Sequence, residues 1–326
     1  MRKCSIKVET VPEKSAGIIN NSNTTTTELT SLSRDKWARM VADHERRING
    51  LIGDYLEQRR LNQKHPVIDF LFEYYSFRPS KLRHWSPGAG ILLQDAGPDE
   101  PFEHNAFARL HGGAYIDPAG MPENRLRALP FVTGLLETTL NRPPRFGCYG
   151  LHEWAMVYKA DERRHQKWPL RMPQNELDRF VESRPISCSH FDAFRFFTDA
   201  ACPLNRVQPT RDTMIENEQS GCLHTNMDLY KWAYKLFPFT GSDLIADAFE
   251  LALFTRDVDM RASPYDLSAL GYAPIPIETD AGRQQYAERQ MEIHRRSVPI
   301  RMALLKCVNI LNSANSGRTD AAEMRL

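Results

Sequence analysis

His190, Asp192 and Arg195 stand inside an aromatic run, Ser189-His190-Phe191-Asp192-Ala193-Phe194-Arg195-Phe196-Phe197. Polar groups among so many phenylalanines need partners if they are buried. An aromatic-lined pocket with an acid, a base and a cation in its wall would supply them. Read as a helix, the run has Ser189 as N-cap and Asp192 in a capping-box role, with an Asp192–Arg195 pair on its surface. A second stretch, Gly221 to Lys235, puts His224, Asp228, Lys231 and Lys235 at i, i+4, i+7 and i+11, one stripe of a helix. Histidine and aspartate four apart can share a proton or a metal ion. The plain alternative is a solvated face carrying a His–Asp surface pair.

Two further blocks carry polar residues in suggestive places. Gly147-Cys148-Tyr149-Gly150-Leu151-His152-Glu153-Trp154 leads through glycines into a helix with His152 and Glu153 in its first turn. Glycine lets backbone approach a ligand closely, and adjacent helical residues point to different faces. Asp243, Asp247 and Glu250 share one helix face. Turned toward Lys231 and Lys235, that face makes an ion-pair seam. Turned toward His190 and His224, it makes a carboxylate-rich site for acid–base work or a metal.

The elements that must position these residues are helices. Apolar residues recur at helical spacing from Trp37 to Tyr55, after a candidate N-cap at Ser33, and again over Val67, Phe70, Leu71 and Tyr74. Helices are expected at 126–140, 151–159, 174–182, 189–198, 223–237 and 242–257, with a long last one at 280–311. Residues 79–125 are rich in Pro and Gly and read as an irregular insertion, with a short hairpin formed by 90–93 and 113–116. The fold class is all-α or mainly α, a multi-helix bundle with one irregular segment. The expected organisation is a disordered tail over 1–32, a single helical domain over 33–311 and a frayed tail over 312–326.

Whole-chain properties exclude several classes. The 326 residues carry 42 basic and 41 acidic side chains, a net charge of +1, without the basic excess of a nucleic-acid coat or a membrane-surface binder. No run of 18 apolar residues occurs, so no membrane partner is expected. Six scattered cysteines without a CxxC pair read as reduced thiols of the cytoplasm or nucleus. There is no Walker A loop, GxGxxG, GxSxG, HExxH or EF-hand loop.

Several blocks resemble a known family. They are His65-Pro66-Val67-Ile68-Asp69-Phe70-Leu71-Phe72-Glu73-Tyr74-Tyr75-Ser76, Gly150-Leu151-His152-Glu153-Trp154-Ala155-Met156-Val157-Tyr158, Ser189 to Phe197, Met227-Asp228-Leu229-Tyr230-Lys231-Trp232-Ala233 and Asp259-Met260-Arg261-Ala262-Ser263-Pro264-Tyr265-Asp266-Leu267. They are similar to proteins described as 3-methyladenine DNA glycosylase or glycosylase-like, and the resemblance runs from about Trp37 to Arg301. It implies hydrolysis of an N-glycosidic bond to a damaged or modified purine, in DNA or in a nucleotide. The base would enter a pocket lined by Trp154, Phe194 and Phe196. Asp192 or Asp228 would act on the sugar or the water, with His190 and His224 beside them. Arg195, Arg211, Lys231 and Lys235 would hold phosphate. The helix-hairpin-helix of the better-understood helical glycosylases is not found in this sequence.

Two other readings compete. One is a metal-dependent enzyme acting on a small molecule, with a divalent metal or iron held by Glu153, His190, Asp192, His224, Asp228 and Asp247. It lacks the Glu-x-x-His pair of di-iron bundles. The other is a non-enzymatic interaction protein, whose polar residues are caps and ion-pair seams.

Overall fold

The computed structural model describes residues 30–97, 100, 107–162 and 167–318. Most of the expected N-terminal tail, including its Asn/Ser/Thr stretch at 20–27, lies outside these residues, as do the last eight residues of the chain, 319–326. The protein is mainly α. Its helices are α1 (Arg34–Arg60), α2 (Ile68–Glu73), α3 (Glu123–Leu126), α4 (Leu129–Asn141), α5 (Leu151–Ala155), α6 (Gln174–Glu182), α7 (Phe191–Phe194), α8 (Met214–Asn217), α9 (Leu223–Lys235), α10 (Ser242–Ala262) and α11 (Asp280–Ala314). A small sheet holds β1 (Thr30–Leu32), β2 (Ile91–Leu93), β3 (Phe107–Leu110) and β4 (Gly113–Ile116), in the order β1-β2-β4-β3.

The sheet revises the reading of two segments. Leu92 and Leu93 pair antiparallel with Tyr115 and Ala114, so the strands expected near 90 and 113 do meet, but β3 lies between them in sequence. Thr30 to Leu32, expected in the tail, run parallel to β2. Leu32 and Leu93 bury beside Trp37, Trp85 and Ala114 in a minor core of their own. Gly113 permits this closeness, because a side chain there would collide with the Leu93 carbonyl.

The main core is built on α9, which packs against α10 and α11, while α10 also meets α1 and α2. Every residue of α9 from Leu223 to Ala233 is buried, so the solvated face of the alternative reading does not exist. Tyr230 lies against Phe249 at 5.0 Å between ring centroids, and Phe77 stacks on Tyr234 at 4.0 Å. Each fully buried large apolar side chain of this kind contributes roughly 1.5–3 kcal/mol. A helix clad in apolar residues on all sides still has to bury His224, Asp228 and Lys231, and these meet one another's neighbours in the interior.

α11 is 35 residues long, roughly 50 Å at 1.5 Å per residue. Thr279 caps it, its hydroxyl accepting a hydrogen bond from the Gly282 amide at 3.0 Å. A β-carbon at 282 would strike the Pro276 carbonyl, so glycine is required where this helix turns in beneath the preceding loop. The helix continues three residues beyond its expected end. Asn315 follows it, 2% exposed and bonded to the Pro118 carbonyl, so this part of the C-terminus is docked and not frayed.

Candidate functional site

The loop before α7, α7 itself and α9 bring together the acid–base residues expected from the sequence. Asp228 on α9 accepts a hydrogen bond from Tyr75 at 2.8 Å and another from Lys231, one turn further on. The Lys231 ammonium also lies 3.5 Å from Asp192 on α7. Asp192 faces Arg195 at 3.2 Å on its other side. His190 sits just before α7, with Nε2 4.0 Å from Asp228 and Nδ1 3.0 Å from Glu218. The latter is an ion-pair contact and off line for a hydrogen bond, both atoms being buried without a hydrogen-bonding partner. Glu218 also accepts from the Thr225 hydroxyl at 3.3 Å.

The cluster opens to solvent at one end. The Asp192 side chain is 23% exposed and that of Asp228 3%, so a substrate arriving from solvent meets Asp192 first. Around this end the Arg195 guanidinium lies over Phe196 at 4.4 Å, and the Lys235 ammonium over Trp232 at 5.2 Å. Trp232 Nε1 is buried without a hydrogen-bond partner. Arg211 is exposed, and its charge is felt at Lys235.

Burial and charge oppose each other throughout. Burial pushes Asp192 up, but Lys231, His190 and Arg195 outweigh it and hold the carboxyl below its usual range. Burial pushes His190 down, and Glu218 and Asp228 reverse this, raising the imidazole above its ordinary value. Lys231 is raised in the same way: burial opposes its charge, and Asp228 and Asp192 restore it. The ammonium therefore holds the two carboxylates together and is not free to take a substrate phosphate, as the sequence reading had it.

A second, deeper cluster adjoins the first. On α5, His152 Nε2 lies 2.8 Å from Asp259 of α10, and its Nδ1 lies 3.3 Å from the Cys148 thiol. Arg256 donates to Asp259 at 2.5 Å and to Glu153 at 3.0 Å, with its guanidinium over Phe70 at 4.1 Å. Burial opposes a charged His152, yet Asp259 and Cys148 outweigh it and hold the imidazole well above its ordinary value. Asp259 is held low: burial works against its charge, and His152 and Arg256 more than offset it.

His224 joins the two clusters. Its ring stacks on His190 at 5.4 Å and meets His152 edge-on at 4.7 Å. Burial and its two histidine neighbours push it well below the ordinary value, so it is neutral between two rings that favour the proton. It does not pair with Asp228 four residues along. Its tight acid–base neighbours are His152 and Asp259, whereas His190, Asp192 and Asp228 form a separate group with donor atoms within 4.8 Å of one another.

Other expected site residues lie elsewhere. Trp154 is fully buried and gives its indole N–H to the Ala262 carbonyl at 2.9 Å, so it is a core residue and lines no base pocket. Phe194 packs on the core beside Phe197 at 5.1 Å. Asp247 and Glu250 face Arg47 of α1 at 2.7 and 2.6 Å, so the acidic stripe makes a seam with α1 and not with Lys231 or Lys235. Asp247 is therefore no part of a metal group. Glu153 is neutralised by Arg256 in the deeper cluster. Ser189 is not the cap of α7, whose N-cap position is His190. α5 ends at Ala155, several residues short of the expected helix.

Tyr75, Glu218 and Arg256 were not singled out from the sequence. For Arg256 a signal existed: with Asp259 it interrupts the apolar side of α10 between Ala252, Val258 and Ala262, and a charge on an apolar face must be paired. Glu218 lies outside any regular helix pattern, and nothing in its immediate neighbours marks it as buried.

The coupled titrations make stability depend on pH. His224 stays neutral in the folded protein while the unfolded chain takes up its proton near 6.5, so its neutral-state contribution is complete above 6.5 and is lost as pH falls toward the depressed folded value. His152 and His190 act oppositely, contributing fully below 6.5 and losing that contribution as pH rises through their raised folded values. Replacing His224 by Gln is expected to remove the first slope alone. Thermal melting of both proteins between pH 4 and 7 checks this, and an unchanged acid slope in the variant contradicts the neutral assignment.

No protein-family model, no curated protein and no solved structure matches the chain.

Proposed function

We propose that the protein hydrolyses the N-glycosidic bond of a modified purine, in a nucleotide or in DNA, at the cluster of His190, Asp192, Asp228 and Lys231. One observation carries the reading: two carboxylates of unequal exposure are held on a single ammonium, with an imidazole directly behind the inner one. Hydrolysis needs one group to stabilise positive charge on the sugar and one to activate water. Asp228, the buried carboxylate, suits the first task, and Asp192, at the solvent edge, the second. The water oxygen bonds to the anomeric carbon, the bond to the base nitrogen breaks, and the base leaves with a proton from His190. Phe196 offers aromatic surface to the base, and Arg195, Lys235 and Arg211 are cations for phosphate.

A specific observation favours a second reading. The donor atoms of His190, Asp192 and Asp228 are close enough to share one ion, a set of one imidazole and two carboxylates that suits a divalent metal or iron. The ion would take the place of the Lys231 ammonium. The chain would then act on a small molecule through the metal.

Incubation with methylated DNA and with methylated purine nucleotides, followed by chromatography of released base, tests the first reading. Release that depends on Asp228 supports it. No release from either substrate overturns it, and near-stoichiometric metal by elemental mass spectrometry then favours the second.

A further inference from the structure

We propose that His152, His224 and Asp259 hold one divalent cation of the zinc class in the interior, where α5, α9 and α10 meet. Each helix supplies one ligand. One imidazole nitrogen of His152, one of His224 and one carboxylate oxygen of Asp259 lie within 4.8 Å of one another. Ligands on a tetrahedral zinc ion stand roughly 3.3 Å apart, so small side-chain shifts close this set on an ion. It shares no residue with the group of His190, Asp192 and Asp228.

Two of the ligands are already aimed. His152 turns Nε2 to Asp259 Oδ1 at 2.8 Å, while its Nδ1 lies 3.3 Å from the Cys148 thiol. Asp259 accepts from Arg256 on its other oxygen at 2.5 Å. Ligating histidines and carboxylates are oriented in this way, through the atom that faces away from the ion. Gly150 permits the approach. A β-carbon there would press on Ala262 and Tyr286 at 3.3 Å, so the start of α5 sits close against α10 and α11.

His224 is the independent observation. It is 7% exposed and has no hydrogen-bond partner among the described residues, a costly state for a buried imidazole. Its ring is confined by His190 on one side and His152 on the other, at 5.4 and 4.7 Å between centroids. An ion shared with His152 and Asp259 gives its nitrogen the partner that the protein does not.

The surrounding charges admit a cation. Arg256 would repel one, but Glu153 faces that guanidinium at 3.0 Å and neutralises it, which leaves the Asp259 charge to the ion. An entering ion takes the lone pair of His152 Nε2, and a proton on that nitrogen passes to water. Two imidazoles and one carboxylate suit zinc or a neighbouring first-row ion, whereas magnesium and calcium take oxygen donors. All three ligands are buried, so the ion fastens three helices together and is not itself a reaction centre. It also fixes the ring on which His190 stacks.

The untagged full chain, produced in zinc-supplemented medium and purified without chelator, tests the site. Elemental mass spectrometry is expected to find zinc retained in the wild type and in Asp192→Asn. X-ray absorption at the zinc edge of Asp192→Asn is expected to show two imidazoles on the ion. In competition with a chromophoric chelator, His224→Gln is expected to bind zinc at least about a hundredfold more weakly, and Cys148→Ala about tenfold to a hundredfold more weakly. Circular dichroism verifies that each variant is folded, and the Asp192→Asn spectrum stands without the other two. No zinc in the wild type, one imidazole on the ion, zinc lost in Asp192→Asn, or unchanged affinity in a folded His224→Gln overturns the proposal. An ion on His190, Asp192 and Asp228 would show one imidazole and need Asp192, so the two sites are told apart. No nucleotide is involved, so the outcome is also separate from that of the glycosylase assay.

Discussion

Replacing Arg256 by methionine lowers the stability of the fold by about 3–5 kcal/mol, the range for removing one partner of a buried ion pair. The guanidinium is 2% exposed and faces two carboxylates, Glu153 and Asp259, of which Asp259 is fully buried. Methionine fills the volume but leaves both without their cation. His152 still neutralises Asp259 from the other side, whereas Glu153 loses its only ion-pair partner among the described residues. Adding Glu153→Gln to the variant is therefore expected to recover part of the loss, with a coupling of about 1–3 kcal/mol. Urea denaturation of the four proteins of this cycle measures both quantities. A loss below about 1 kcal/mol for Arg256→Met would mean that the carboxylates carry no uncompensated charge and that Arg256 does not hold them.

Asp228→Asn is expected to reduce base release by about 10²–10³, the range for removing one preorganised group that stabilises charge in the transition state. Asparagine keeps an oxygen to accept from Tyr75, so the local packing survives. The negative charge is lost next to Lys231 and His190. Among the described residues, Lys231 then has only Asp192, 3.5 Å away, within its ion-pair reach. Single-turnover kinetics, with circular dichroism to verify the fold, separates chemistry from folding. Base release at the wild-type rate in a folded variant would remove Asp228 from the mechanism.

How much of the fold is legible in the sequence follows burial. The long amphipathic helices were legible because their apolar residues recur at one spacing, and α1, α4, α9, α10 and α11 lie close to where that spacing put them. The clustering of His190, Asp192, Asp228 and Lys231 was legible in kind, as polar residues enclosed by aromatic ones. Its partners were not. Whether Lys231 faces water or Asp192 depends on α7 crossing α9, and no periodicity within either segment encodes that crossing. Trp154 shows the converse error. An aromatic residue beside polar ones suits a binding pocket and a core equally, and only the Ala262 carbonyl opposite its indole decides for the core. The acidic side of α10 is legible as a stripe, but it faces neither Lys231 and Lys235 nor His190 and His224; its partner, Arg47, lies 200 residues away in sequence.

The contacts at the centre are long in sequence. His152 meets Asp259 across 107 residues, Glu153 meets Arg256 across 103, and Tyr75 meets Asp228 across 153. Closing loops of this length is an entropic cost met only once the intervening helices have packed. A chain emerging from the ribosome therefore does not hold these contacts until α10 has been made and has docked on α5 and α9. The imidazoles and carboxylates stay apart during synthesis and come together as one late event. Gain of activity would thus report complete assembly of the domain.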